Sequence, residues 1–366
     1  MEAVGTITLP EPLHLECGAT LESVDIAYEI YGELNASHSN AVLLCHGLTA
    51  DQHAVSTQDA NGNRPGWWDK AIGPGRALDT SRYCVISTNS LASFGGSTSP
   101  ASIDPQTGQP YGMRFPFVTM ADMADAQAGF ADALAIDRFQ AVVGGCMGGF
   151  QVLEWLLRHP QRLQRAVVIS ATPRTSTHNT ALWHVMREAI RRDPDWRGGD
   201  YYDGRPPLAG IGMLAMFGAL FWMDRATLDA RFGLKTVGNR PLSYGFQSEF
   251  EIEAFLDRIA GNATARLDAN ALIYLTRAID YFDISRNHRD LKETMQAVTT
   301  PTLFVSYTGD WRYPSVEIED MHQALKAAGG NSTHAVFDSA WGHGGFLQEP
   351  EKLEALFHAF FRAGGA

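Results

Sequence analysis

The chain has 366 residues, 45% of them hydrophobic and 19% charged, with a formal net charge of −12. This is the composition of a soluble globular protein, long enough for one large α/β domain with an insertion or for two or three smaller domains. The acidic balance excludes a basic nucleic-acid footprint, and there is no run of about 18 apolar residues to span a membrane.

The opening Met1-Glu2-Ala3-Val4-Gly5 has neither a basic nor an apolar signal region, so no secretory leader is expected. The four cysteines, Cys17, Cys45, Cys84 and Cys146, form no C-x-x-C pair, and no metal-ligand spacing is visible. A reducing cytoplasm and no metal are therefore expected. Cys17, Cys45 and Cys84 read as small buried hydrophobes.

In chain order, short β-branched runs over 41–45, 83–87, 140–144, 166–170 and 302–306 predict strands covered on both faces. Helical spacing runs over 119–134 and 149–157, the second stopping before His159-Pro160. Glycine-, Asn-, Ser- and Pro-rich stretches at 61–65 and 93–112 read as loops. Strands alternating with helices predict a mostly parallel, doubly wound sheet. The alternation stops near Pro173. Helices are predicted over 182–191, 208–222, 250–259 and 269–279, and the strand pattern resumes at Pro301. The expected organisation is a core of 1–173 and 296–366 interrupted by a helical lid at 174–295, with a terminal helix near 351–361.

The strongest motif is Gly144-Gly145-Cys146-Met147-Gly148-Gly149, between a predicted strand and a predicted helix. That context is the nucleophile elbow of the α/β-hydrolase fold, G-x-[S/C]-x-G. Its turn is strained and needs neighbours without Cβ atoms, and it lifts the thiol to a helix N-terminus that favours the thiolate. In this fold the partners follow in the order acid, then His. Asp310, in Thr308-Gly309-Asp310-Trp311, follows the strand at 302–306. His343 sits in Gly342-His343-Gly344-Gly345. Asp338 is the rival acid. The oxyanion hole is assigned to the backbone N–H groups of Met147 and of Leu48, in His46-Gly47-Leu48-Thr49 after the first apolar strand. His53, His159, His178, His184, His288 and His334 are dispersed and read as structural or surface residues.

Further stretches carry a resemblance: Cys45-His46-Gly47-Leu48-Thr49-Ala50-Asp51, Gly66-Trp67-Trp68-Asp69, Gly96-Ser97-Thr98-Ser99-Pro100, Gly148-Gly149-Phe150-Gln151-Val152-Leu153-Glu154-Trp155 and Tyr274-Leu275-Thr276-Arg277-Ala278. Over most of its length the chain resembles the homoserine O-acetyltransferase family of acyl-CoA-dependent transferases. The resemblance implies an α/β-hydrolase core, a helical lid, a triad of Cys146, Asp310 and His343, ping-pong acyl transfer, and a homodimer built through the lids.

The chain departs from the family pattern at three places. The nucleophile is Cys146 where the family usually has Ser. Gly344 stands where an Asp is expected to hold the acceptor's amino group. The lid helix at 210–223 lacks the Arg expected to hold the acceptor's carboxylate, and Arg205 and Arg225 only flank it. Because unpaired buried charge is costly, loss of both partners should penalise a zwitterionic acceptor. Met213, Met216, Phe217, Phe221 and Trp222 would instead form an apolar wall, with Trp222, Phe221 and Gly344 lining the pocket. The coordinated losses read as natural divergence rather than an engineered Ser replacement.

The expected activity is transfer of an acyl group from an acyl-CoA-type thioester, through an acyl-cysteine, to a hydroxyl or amine acceptor other than homoserine, with no bound cofactor. An ester or thioester hydrolase on the same triad is the alternative. A non-catalytic binding protein on a hydrolase fold is the alternative of another class.

Overall fold

The computed structural model describes residues 3–59 and 62–362. Eight strands form the main sheet: β1 Ala3–Thr8, β2 Asp25–Tyr31, β3 Ala41–Cys45, β4 Cys84–Thr88, β5 Ala141–Gly145, β6 Ala166–Ile169, β7 Thr302–Tyr307 and β8 Ser332–Phe337. Their spatial order is β1-β2-β4-β3-β5-β6-β7-β8. β2 runs antiparallel to both β1 and β4, and every other pairing is parallel. This is the expected α/β-hydrolase architecture.

The five strands β3 to β7 are buried at every residue, as their unbroken apolar runs require of a sheet covered on both faces. Helix α1 (Met120–Ala133) begins with a capping box in which Thr119 and Asp122 satisfy each other's backbone N–H groups. Helix α2 (Met147–Arg158) packs on β5, β6 and α1. Its Gln151 accepts from Gln127 at 2.7 Å, and Trp155 donates to Gln127 at 2.8 Å. Two residues of the Phe150-to-Trp155 motif thus fix α2 to α1 beneath the nucleophile.

Between β6 and β7 the chain is helical: α3 Thr177–Arg191, α4 Leu208–Leu220, α5 Arg225–Arg231, α6 Glu251–Thr264, α7 Ala269–Asp280 and α8 Leu291–Met295. Its ends meet where Arg174 bridges Asp283 and Ile284 N–H donates to Pro173 O at 3.0 Å. After β7 come α9 (Ser315–Ala327), α10 (Gly345–Gln348) and α11 (Glu354–Arg362). Among the described residues no single helix is long and apolar enough to cross a membrane.

Several elements differ from the sequence expectation. β1, β2 and β8 were not predicted as strands; β1 and β8 edge the sheet, and β8 is only half-buried, so none carries a continuous apolar run. Within the predicted 61–65 loop, Asn61 lies outside the described residues, while Gly62–Arg64 pairs with Thr57–Asp59 as a small hairpin. Cys17 is exposed, not buried, because it stands in the turn where Gly18 N–H donates to Leu15 O.

Candidate active site

Cys146 joins β5 to α2 with φ 57° and ψ −124°, a conformation that costs a side-chain-bearing residue roughly 1–3 kcal/mol and is held only by its surroundings. Those surroundings are on either side of the turn. Cys146 N–H donates to Ile169 O on β6 at 3.0 Å, and a Cβ on Gly148 would lie 2.0 Å from Cys45 O on β3. The small residue at 148 therefore lets α2 start directly above the sheet, with the thiol at the helix N-terminus.

His343 Nδ1 lies 2.8 Å from Asp310 Oδ2. The other carboxylate oxygen of Asp310 accepts the backbone N–H groups of Arg312 at 3.1 Å and Tyr313 at 3.0 Å, so the acid is fixed at the end of β7. Asp338 is exposed and accepts from Thr308 instead, leaving His343 to Asp310. His343 and the Cys146 thiol lie close enough for each to shift the other's pKa. Burial alone would raise the thiol pKa, but His343, the Arg312 guanidinium and the Met147 N–H together hold it at about 7. Burial alone would lower His343, yet the Asp310 and Cys146 charges lift it to about 9. Both shifts favour the thiolate and the imidazolium over the neutral pair.

Of the two assigned oxyanion donors, Met147 directly follows Cys146, and Leu48 lies in the loop after β3. Met147 N–H favours the charged form of the thiol. Leu48 is buried, and no backbone carbonyl among the described residues takes its N–H. Its loop runs against the nucleophile, since a Cβ on Gly47 would lie 3.7 Å from Cys146 Cβ. His46, missed as a functional residue, sets this loop. Its Nε2 accepts Ser90 N–H at 2.9 Å, so its Nδ1 carries the proton and donates to Gly47 O at 2.8 Å. Burial lowers its pKa and keeps it in that neutral state.

The lid meets the same loops. Trp222 O accepts Gly344 N–H at 3.5 Å, and Thr227 donates to Ala340 O. Gly342, at φ 52°, allows this approach, because a Cβ there would lie 2.5 Å from Gly309 O and 3.0 Å from Trp222 O. Trp222 thus touches the His343 turn through its backbone, and Phe221 stacks edge-on against Trp311 at 4.9 Å. Helix α4 carries no charge; Met213 is 45% exposed, and Phe217 and Phe221 are half-buried. Arg205 and Arg225 pair with Asp195 and Asp229 at the surface.

A cation nevertheless reaches the site from the core side. Arg312 is 5% exposed, with its guanidinium carbon 4.6 Å from the Trp183 ring centre and 5.4 Å from that of Tyr313. Tyr313 in turn packs on His343 at 5.1 Å. Sequence reasoning searched the lid helix for a cation and passed over this one. The signal was a charged residue between two aromatics, two residues after the proposed acid.

A family model described as alpha/beta hydrolase fold matches residues 40–350. The homoserine O-acetyltransferase of Caulobacter vibrioides (strain NA1000 / CB15N) is 41% identical over 361 residues, covering 97% of this chain and 94% of that protein. The crystal structure of homoserine O-acetyltransferase from Bacillus anthracis superposes with TM-score 0.90 at 27% identity, covering 99% and 98% of the two chains. Esterase E22 superposes with TM-score 0.88 at 28% identity, covering 99% and 100%. The chain belongs to the α/β-hydrolase fold family and, within it, to the homoserine O-acetyltransferase family of acyltransferases.

Proposed function

We propose that this acyltransferase takes an acyl group from an acyl-CoA-type thioester onto Cys146 and passes it to a hydroxyl or amine acceptor. The observation that carries this reading is the buried set Cys146, His343 and Asp310, in which His343 Nδ1 lies 2.8 Å from Asp310 Oδ2 and Cys146 stands in the strained turn at the N-terminus of α2.

In acylation the Cys146 thiolate attacks the thioester carbonyl carbon. The oxyanion forms against Met147 and Leu48 N–H. The C–S bond to the leaving thiol breaks, and the His343 imidazolium gives that sulfur its proton. Exchange of one thioester for another is close to isoenergetic, which suits a thiol nucleophile. In deacylation neutral His343 takes the acceptor's proton as its oxygen or nitrogen attacks the acyl-cysteine, and Cys146 leaves as thiolate. Asp310 orients the imidazole and balances its charge throughout.

The relatives' names give homoserine as acceptor. Here the acceptor is other than homoserine, because Gly344 offers an amino acid's ammonium group no carboxylate and α4 offers its carboxylate no cation. Leu234, Tyr244 and Phe246 stand exposed on the lid, apolar surface that suits a cytoplasmic homodimer joined there.

Intact-mass spectrometry after mixing with acetyl-, butyryl- or succinyl-CoA should show one acyl adduct, lost in Cys146→Ala. No adduct from any donor overturns the reading. The likeness to esterase E22 favours hydrolysis as the second reading, and turnover that is indifferent to added alcohols and amines would establish it.

A further inference from the structure

The turn that carries Leu48 is held from two sides. Ala50 N–H donates to Gly47 O at 3.1 Å, which makes Leu48 and Thr49 the central residues of a four-residue turn. From the core, the His46 ring donates to the same Gly47 O at 2.8 Å. From the helical insertion comes Arg266, in the turn between α6 and α7. Its Nη2 donates to Thr49 O at 2.5 Å, and its Nη1 lies 3.5 Å from Asp51 Oδ2.

The base of this arginine is fixed. Two residues on, Asp268 caps α7 by accepting Ala271 N–H at 2.7 Å, and it also takes the hydroxyls of Tyr201 at 2.5 Å and Tyr202 at 3.2 Å. Beside Arg266 a cleft of about 370 Å³ separates Ser99 and Ser102 of the core from Tyr201 and Pro206 of the insertion. An exposed ion pair such as Arg266 with Asp51 contributes little by itself. The bond to Thr49 O is different, because it ends on the backbone of the turn.

A peptide group is planar and trans, so its C=O and N–H point in opposite directions. Thr49 C=O and Ala50 N–H share one such plane, and Gly47 C=O and Leu48 N–H share another. By holding Thr49 O, Arg266 aims Ala50 N–H at Gly47 O. That bond, with the His46 ring, fixes the direction of Leu48 N–H, which no backbone carbonyl among the described residues takes. A cationic donor on Thr49 O also polarises its peptide and makes Ala50 N–H a stronger donor. Burial first, and the Arg266 charge with it, keep His46 in the neutral state that donates to Gly47 O while accepting Ser90 N–H.

We infer that Arg266 is a positioning residue of the oxyanion hole, by which the helical insertion aims Leu48 N–H at the tetrahedral oxyanion. This deepens the acyl-transfer reading and rests on its assignment of Leu48 as the second donor. It makes a seated insertion a condition for acylation but not for the reactivity of the sulfur, which His343, Arg312 and Met147 favour.

Two reactions of the same thiol separate these roles. In acetylation by p-nitrophenyl acetate the thiolate adds to the carbonyl carbon, an oxyanion forms, and p-nitrophenolate leaves. In alkylation by iodoacetamide the new C–S bond displaces iodide from a saturated carbon, and no oxyanion arises. The quantity measured is the ratio of the acetylation rate to the alkylation rate, with mass spectrometry placing both groups on Cys146. In Arg266→Met that ratio should fall five-fold or more. Arg266→Lys should recover part of the loss, because an ammonium also donates to a carbonyl. The arginine is half-exposed, so its replacement leaves the core packed, and Arg266→Ala serves as the second variant.

A smaller fall in whichever of Arg266→Met and Arg266→Ala melts as a folded protein overturns the proposal and leaves the acyl-transfer reading standing. So do equal losses in the two reactions, and so does an Arg266→Lys ratio no higher than that of Arg266→Met. A ratio that depends on Arg266 while no CoA thioester acylates Cys146 removes the transfer reading and upholds the positioning role. No acetylation of the unaltered protein by p-nitrophenyl acetate or by any CoA thioester removes both.

Discussion

The two walls of the active site are built differently. The core wall is a set of short loops at the ends of β3, β5 and β7 and before α10. It carries Cys146, the Leu48 loop, Asp310, Arg312 and His343, all buried; Cys146 N–H donates to Ile169 O, Arg312 N–H donates to Asp310, the His46 ring donates to Gly47 O, and the His343 ring pairs with Asp310. The lid wall is α4 and its C-terminal turn, a helix without a charged residue, half-buried at Phe217 and Phe221 and exposed at Met213. The candidate catalytic groups sit on loops anchored to the sheet, while α4 is an apolar helix. In this chain even the cation near the nucleophile comes from the core wall.

This contrast orders the expected effects of mutation. Cys146→Ala should remove the acyl adduct and lower kcat by roughly 10⁴-fold or more, measured by CoA release, whereas removing a lid side chain should not approach that figure. Asp310→Asn should cost about 10²- to 10⁴-fold in kcat, because the imidazole loses both its orientation and the charge that raises its pKa.

The pH dependence separates these roles. Acylation needs thiolate and imidazolium together, so kcat/KM should rise through about pH 7 and fall through about pH 9. Asp310→Asn should move the upper limb down, since Asp310 raises His343. Arg312→Met should move the lower limb up, since Arg312 lowers Cys146. Unmoved limbs in both variants would mean that the ion pair is not the reacting form. The smallest effects belong to the lid. Phe221→Ala should change kcat less than ten-fold and lower stability by about 1–2 kcal/mol in urea unfolding, as suits a half-buried ring. Met213→Lys should change neither rate nor stability measurably. A lid variant as damaging as Asp310→Asn would break the comparison.

Much of the core wall was legible before any coordinates. Unbroken apolar runs marked the five central strands because those strands are covered on both faces, and the glycines around Cys146 marked a turn that tolerates no Cβ. Asp310 and His343 were found because the fold imposes a chain order on the acid and the base. β1 and β2 were not seen, since strands toward one side of the sheet lack a continuous run. Helix α3 starts at Thr177, before its first apolar residues, because Ser176 caps it by accepting Asn179 N–H. Arg312 was missed for a different reason. A lone arginine next to aromatics is ordinarily a solvated residue, and only its burial without an acid shows otherwise. The lid was read as a pocket stripped of cations, and that holds for α4 but not for the site as a whole.

The placement of the helical insertion between β6 and β7 has a consequence for how the protein is made. On the ribosome, β5, Cys146 and β6 emerge long before β7, Asp310 and His343. A chain still short of Thr302 has no base to ionise its cysteine and no arginine beside it. Closing the long loop that brings β7 onto β6 carries an entropic cost that only late, non-local pairing repays. Thiol activation therefore depends on the part of the chain that follows the insertion, and a chain truncated before Thr302 carries the elbow cysteine without the groups that favour its thiolate.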